Sequence, residues 1–225
     1  MELKIVAHIY TDFPEKFGIP RQSGLIPSLC GKIIFTPSYR TPDALRGITD
    51  FSHLWIIWGF SQSKKENWAA TVAPPRLGGR KRMGVFATRA PYRPNPIALS
   101  SVKLIKLEQD EKFGPVLYVS GVDMLSGTPI YDIKPYLPYC DCHPEAVGGF
   151  SESVLSHALN VVFPPDLEKK ILYDDLNAVY EILSQDPRTA FINDENRIWG
   201  ISYKKYNIRF TVKENVLTVC EVDYL

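Results

Sequence analysis

Through the first two thirds of the chain, hydrophobic and β-branched residues come in short runs separated by turn residues. The runs cover residues 3–9, 32–35, 54–60, 84–88, 99–107, 116–122 and 130–133. Runs this short, without a sustained helical period, predict the strands of a compact all-β barrel or sandwich. One short helix is expected after Pro42, where Asp43, Ala44, Leu45 and Arg46 end at Gly47. Beyond residue 150 the period changes. Pro164-Pro165-Asp166 marks a helix start, and Leu167, Ile171, Leu172, Leu176, Val179, Ile182 and Leu183 recur at helical spacing up to Pro187, a stripe that reads as core. Strands are then expected at 198–203, 208–212 and 216–222. Within them Ile208, Phe210 and Val212 alternate with Arg209 and Thr211, as a half-buried sheet requires.

Turn residues divide the chain at the same place. Of 18 Pro and 14 Gly, 15 Pro and 13 Gly fall within residues 1–150. The reading is a mainly β unit over 1–145 and a small α+β unit over 150–225, joined by a linker around Ala146-Val147-Gly148-Gly149. Charge divides there too. The net charge of +1 combines 18 basic and 13 acidic residues in 1–150 with 8 and 12 in 151–225. No Asp or Glu occurs between Glu66 and Glu108, a stretch that carries Arg76, Arg80, Lys81, Arg82, Arg89, Arg93, Lys103 and Lys106. A polyanion site is therefore expected on a nearly neutral protein.

The N-terminus is charged at once, and no apolar run approaches the roughly 20 residues of a spanning helix, so a cytoplasmic protein without membrane contact is expected. Four cysteines in 225 residues do not suggest a disulfide framework. Cys140-x-Cys142-His143 has no complementary close pair, and no metal is expected. Neither Gly-x-Gly-x-x-Gly nor a P-loop pattern is present.

The segment from Arg89 to Ser100 holds Pro91, Pro94 and Pro96, which stiffen the backbone while Arg89, Arg93 and Asn95 project from it. Rigidly displayed cationic donors suit carboxylates, phosphates or a planar base. Two other segments mix turn and polar residues in the same way, from Phe17 to Gly24 and from Asp123 to Tyr136, and His53 precedes an apolar run.

Together these segments resemble the TsaA-like family, also called TrmO, of S-adenosylmethionine-dependent tRNA methyltransferases. The resemblance rests on Pro20-Arg21-Gln22, Phe51-Ser52-His53-Leu54-Trp55, Pro74-Pro75-Arg76-Leu77-Gly78-Gly79, Gly84-Val85-Phe86-Ala87-Thr88-Arg89, Arg93-Pro94-Asn95-Pro96-Ile97 and Asp132-Ile133-Lys134-Pro135-Tyr136, with a short match at Gln185-Asp186-Pro187-Arg188. It implies a single-sheeted antiparallel β-barrel, dimeric, with S-adenosyl-L-methionine as methyl donor. The implied reaction is N6-methylation of threonylcarbamoyladenosine at position 37, in the anticodon loop of threonine tRNA. Carried over residue by residue, donor contacts fall on Pro20, Arg21, Gln22, His53, Leu54, Arg89, Leu99, Asp123, Ser126, Gly127, Thr128 and Pro129. Independently of the resemblance, cationic and polar side chains make Arg76, Arg80, Lys81, Arg82, Arg93, Asn95 and Arg188 the candidate RNA contacts. The chain has Ala98 and Ser126 where the family pattern has Gly and Asp.

Methyl transfer from a sulfonium is an in-line displacement, and the acceptor nitrogen must lose a proton. His53, Asp123 and Asp132 are the candidate bases. Two other readings stay open on the residues: a barrel that binds S-adenosylmethionine or RNA without turnover, and methyl transfer to a different RNA or a small molecule.

Overall fold

The computed structural model describes residues 2–62, 68–74, 77, 81–154, 158–188 and 194–225. Six antiparallel strands close into a barrel: β1 (Ala7–Thr11), β2 (Cys30–Phe35), β3 (His53–Gly59), β6 (Ile97–Asp110), β7 (Gly114–Ser120) and β8 (Thr128–Pro135), in the order β1-β2-β7-β6-β3-β8. The short strands β4 (Thr71–Val72) and β5 (Met83–Gly84) form a separate hairpin between β3 and β6. Period-two alternation fills the barrel. Leu54 and Ile56 of β3, Val102 and Leu104 of β6, Leu117 and Val119 of β7, and Ala7 and Ile9 of β1 are all buried. Strand β6 is long enough to serve two neighbours. Its first part pairs with β3 from Ile97 to Lys103, and its second with β7 from Lys103 to Asp110.

The second unit is a four-stranded sheet, ordered β10-β11-β12-β9, in which β9 (Asn160–Val162) runs parallel to β12 (Val216–Tyr224). The other two strands are β10 (Trp199–Tyr203) and β11 (Tyr206–Lys213). Short helices α1 (Pro138–Asp141) and α2 (Pro165–Glu168) precede the longer α3 (Tyr173–Ser184). The helix expected from Pro165 to Pro187 is thus broken between α2 and α3. Leu172 turns to extended backbone there, its N–H donates to the Tyr206 hydroxyl, and its side chain is exposed rather than in the core. Ile171, Val179, Ile182 and Leu183 are buried as the stripe predicts.

Two further expectations changed in detail. The run at 84–88 ends as strand after Gly84 and becomes a 3-10 turn, Val85–Ala87, because the Thr88 N–H and hydroxyl both donate to the Val85 carbonyl. The helix after Pro42 is likewise a 3-10 turn, Pro42–Leu45.

The two units have separate sheets but one continuous hydrophobic core. The connection from β1 to β2 carries the contacts. Phe13 packs on Tyr203 with ring centroids 5.6 Å apart, and Phe17 stacks on Trp199 at 6.0 Å. Gly18 turns with φ 94° beside Ile201, a conformation that a side chain rarely adopts. The Lys204 N–H donates to the Asp12 carbonyl, and the Lys204 ammonium lies 2.5 Å from the buried Asp175 carboxylate, which also accepts from the Tyr206 hydroxyl at 3.0 Å.

Asp175→Ala leaves the Tyr206 hydroxyl and the Lys204 ammonium without that acceptor. The unfolding free energy is expected to fall by about 2 kcal/mol, read as a lower urea midpoint. An unchanged midpoint would show that this cluster does not fasten the second unit.

Candidate functional site

At the end of the barrel where β3 stops and β6 and β8 begin, the inward positions turn polar. Trp58 lies near the end of β3, Ser100 near the start of β6, and Thr128 opens β8, all three buried. The Trp58 indole Nε1–H donates to Ser100 Oγ at 2.9 Å, and the Ser100 hydroxyl donates to Asp123 Oδ1 at 2.7 Å. Burial pushes the Asp123 carboxyl up to about 6, against the opposing effects of the Ser100 hydroxyl, backbone N–H groups of Asp123 and Ser23, and the Arg89 charge. An ordinary carboxyl loses its proton near 4.

This chain of hydrogen bonds forms part of the wall of a cavity of about 440 Å³. The long β1–β2 connection supplies Ile19, Pro20, Arg21 and Gln22. The segment before β6 supplies Thr88, Arg89 and Arg93, β6 supplies Ile97, Ala98, Leu99 and Ser100, and Trp55, Trp58 and Phe60 add aromatic surface. Arg89 Nη1 donates to Gln22 Oε1 at 2.5 Å, joining two segments far apart in sequence. Arg21 donates to the Arg188 carbonyl at 3.0 Å, so the second unit braces the same wall.

Of the expected donor-binding residues, Pro20, Arg21, Gln22, Arg89, Leu99, Asp123 and Thr128 line this cavity. The others are not among the lining residues. Leu54 is fully buried in the barrel core. His53 is exposed at the opposite end of β3, with Nδ1 2.9 Å from Ser52 Oγ and its ring edge toward Tyr136. Asp132 pairs with Lys134 at 2.9 Å and accepts from the Ile133 N–H. Ser126, Gly127 and Pro129 shape the turn into β8. The Ser126 hydroxyl accepts from the Thr11 N–H, and Gly127, at φ 81°, donates to the Ile9 carbonyl.

Among the expected RNA contacts, Arg76 and Arg80 lie outside the described residues. Lys81 and Asn95 are exposed. Arg82 bonds Thr71 through its hydroxyl and carbonyl at 2.8 Å, and Arg93 clamps the Val85 and Thr88 carbonyls while lining the cavity. Arg188 pairs with Asp186 through two nitrogens at 2.8 Å, so its charge is answered locally. Sequence reasoning missed Trp58 and Ser100. Their signal was a serine at an inward position of an otherwise apolar alternation.

Among the described residues, no group of three or more His, Cys, Asp or Glu could hold a metal ion, and all four cysteines are free and exposed. No described helix is long and apolar enough to cross a membrane.

A closed six-stranded barrel with a recessed carboxylate and a cationic rim is built to receive a small polar ligand beside an anionic partner. Comparison with known proteins narrows that class. The tRNA-methyltransferase O N-terminal domain model matches residues 8–142, and the TrmO C-terminal domain model matches residues 156–225. The tRNA (adenine(37)-N6)-methyltransferase of Escherichia coli K12 is 39% identical over 214 residues, 92% of this chain and 91% of the relative. A putative S-adenosylmethionine-dependent methyltransferase, RcsF, of Pseudomonas aeruginosa is 41% identical over 87% of this chain and 86% of its own length. A crystal structure of TrmO from Pseudomonas aeruginosa superposes with a TM-score of 0.79 at 29% identity, covering 100% of this chain and 97% of that one. The chain belongs to the tRNA-methyltransferase O family, whose methyl donor is S-adenosylmethionine.

Ser100→Ala removes a hydrogen bond that favours the ionised form of Asp123. The carboxyl is expected to titrate above its present value of about 6, followed by carboxyl carbon NMR shifts; an unmoved titration would mean that the hydroxyl does not hold the carboxylate.

Proposed function

We propose that this member of the family methylates N6 of threonylcarbamoyladenosine at position 37 of threonine tRNA, using S-adenosylmethionine held in the barrel-end cavity. The observation that carries the reading is Asp123, a recessed carboxylate with its affinity for a proton raised, set in a cavity rimmed by Arg21, Arg89 and Arg93. The residues present fit the donor. Arg21 and Arg89 suit its carboxylate, Trp55, Trp58 and Phe60 suit an adenine ring and a sulfonium, and about 440 Å³ is the size range of small-molecule sites. Once bound, the donor supplies a methyl group made electrophilic by its positive sulfur.

The work left to the chain is to hold the acceptor nitrogen in line with that methyl and to take its proton. In threonylcarbamoyladenosine the neighbouring carbonyl withdraws the N6 lone pair, so the proton must leave for the nitrogen to react well. Asp123 suits this role. At neutral pH it is ionised, yet it is more basic than an ordinary carboxylate, and Ser100, itself held by Trp58, fixes its orientation. His53 and Asp132 do not line the cavity and are not carried forward as bases. The threonyl carboxylate of the modified base fits the cationic rim, and exposed Lys81 fits a backbone phosphate. The exposed Leu99, at the cavity, and Ile105 of β6 offer apolar surface to a homodimer, and a tRNA substrate supports a cytoplasmic location.

The substrate is tested with labelled donor and threonine tRNA with and without the threonylcarbamoyl group. Label is expected only in the modified tRNA; equal labelling of both, or donor binding without any transfer, would overturn the assignment. For the base, Asp123→Asn is expected to lower kcat at least 100-fold while donor affinity stays within threefold. The protonated carboxyl cannot accept a proton, so the wild-type rate should fall about tenfold per pH unit below about 6 and level off above it. The variant should lose that acid limb; a variant that keeps it would show that another group titrates.

A further inference from the structure

Among the described residues, Phe86 is the exposed phenylalanine and Trp68 the exposed tryptophan, and the two stand together. Their ring centroids are 6.4 Å apart and their planes 26° from parallel, with 72% of Phe86 and 53% of Trp68 in solvent. The backbone beside each ring is tied down. The Val85 N–H donates to the Ala70 carbonyl at 2.9 Å, and the Ala69 N–H to the Tyr92 carbonyl at 3.1 Å. The Arg93 guanidinium lies 5.5 Å from the Phe86 ring centre while it donates to the carbonyls on either side of the 3-10 turn. Arg93, Thr88 and Arg89 also line the cavity, so the pair sits directly outside its wall.

Two large aromatic faces left in water, beside a hydrogen-bonded backbone, offer an occupant a flat apolar surface. The surrounding charge says which. Between Glu66 and Glu108 the chain has no acidic residue, Lys81 and Arg82 are exposed on the same stretch, and the Arg93 guanidinium lies against the Phe86 ring. A partner that is anionic along its backbone and presents flat apolar faces is single-stranded nucleic acid, whose unstacked bases lie on aromatic rings while phosphates meet cations.

We propose that Phe86 and Trp68 form a stacking platform for an unpaired base of the anticodon loop, the neighbour of the adenosine that enters the cavity. The proposal rests on the tRNA reading above and deepens it by assigning how the loop is held open. Withdrawing the target base from the loop costs the stacking it had with its neighbours, and a ring at the rim returns part of that to the neighbour left behind.

The test measures the Kd for threonylcarbamoyl-modified threonine tRNA across a series of salt concentrations, with donor affinity and sedimentation read on the same proteins. Phe86→Ala is expected to weaken tRNA binding about tenfold with the salt slope unchanged, because the lost contact is not ionic, and Phe86→Tyr should restore binding to within twofold. Trp68→Ala should also weaken binding. Lys81→Gln should instead flatten the slope by up to about one unit. Donor affinity should stay within twofold in the Phe86 variants. Unchanged tRNA affinity in Phe86→Ala would overturn the platform while leaving the tRNA reading intact. A change in sedimentation without tRNA would overturn it in favour of a second copy of the chain as occupant. A wild-type protein that binds no tRNA would overturn the underlying reading and this one with it.

Discussion

Closure of the barrel by β8, which bonds β3 along one edge and β1 along the other, governs where the chemistry can sit. Because β8 must pair with β1, the turn ahead of it is pulled against β1, where the Ser126 and Gly127 N–H groups find the carbonyls of Phe13 and Ile9. That turn follows Asp123 directly. The same closure brings the end of β3 and the start of β6 to the same rim, so Trp58, Ser100 and Asp123 meet although they come from three separate parts of the chain. A small closed barrel is filled by side chains, and polar positions on its inward face are tolerated only where they satisfy one another. The Trp58–Ser100–Asp123 chain meets that condition at the barrel's open end.

Recessing a carboxylate disfavours its charge, and the fold offsets only part of that cost, through one hydroxyl, backbone N–H groups and the charge of Arg89. The balance leaves a group ionised near neutrality yet ready to hold a proton. The arginines around it divide their work. Arg93 and Arg82 hold backbone carbonyls, Arg188 is matched by Asp186, and Arg89 bridges to Gln22. Within the acid-free stretch Lys81 is exposed, whereas Arg82, Arg89 and Arg93 are held by hydrogen bonds that fix where their charge sits.

The second unit acts on the site through the β1–β2 connection. Phe13 and Phe17 are anchored on Tyr203 and Trp199, Ser28 bonds Glu181, and Arg21 reaches the Arg188 carbonyl. This connection forms no strand, and the barrel holds its other side, where the Gly24 N–H donates to the Gly121 carbonyl and the Ser101 N–H to Ser23 Oγ. It delivers Pro20, Arg21 and Gln22 to the cavity wall. The acidic second unit thus helps to hold one wall of the cavity.

The strand runs, the change of period after residue 150 and the acid-free basic stretch are all local properties, readable without a fold because alternation and charge need no partner. Motif resemblance brought Pro20, Arg21, Gln22, Arg89, Leu99, Asp123 and Thr128 forward, and the cavity gathers them. Other features depended on distant contacts. The helix through Leu172 breaks because the Tyr206 hydroxyl, far along the chain, takes its N–H. Leu54, His53 and Asp132 do not line the cavity: Leu54 turns into the barrel core, His53 bonds Ser52 at the start of β3, and Asp132 pairs with Lys134. Ser100 and Trp58 gain their roles only when β3 and β6 pair and the turn before β8 closes over them. The sequence alone determined which residues could form strands and where positive charge collects; tertiary structure alone decided which carboxylate is recessed, because burial is set by what packs around a group.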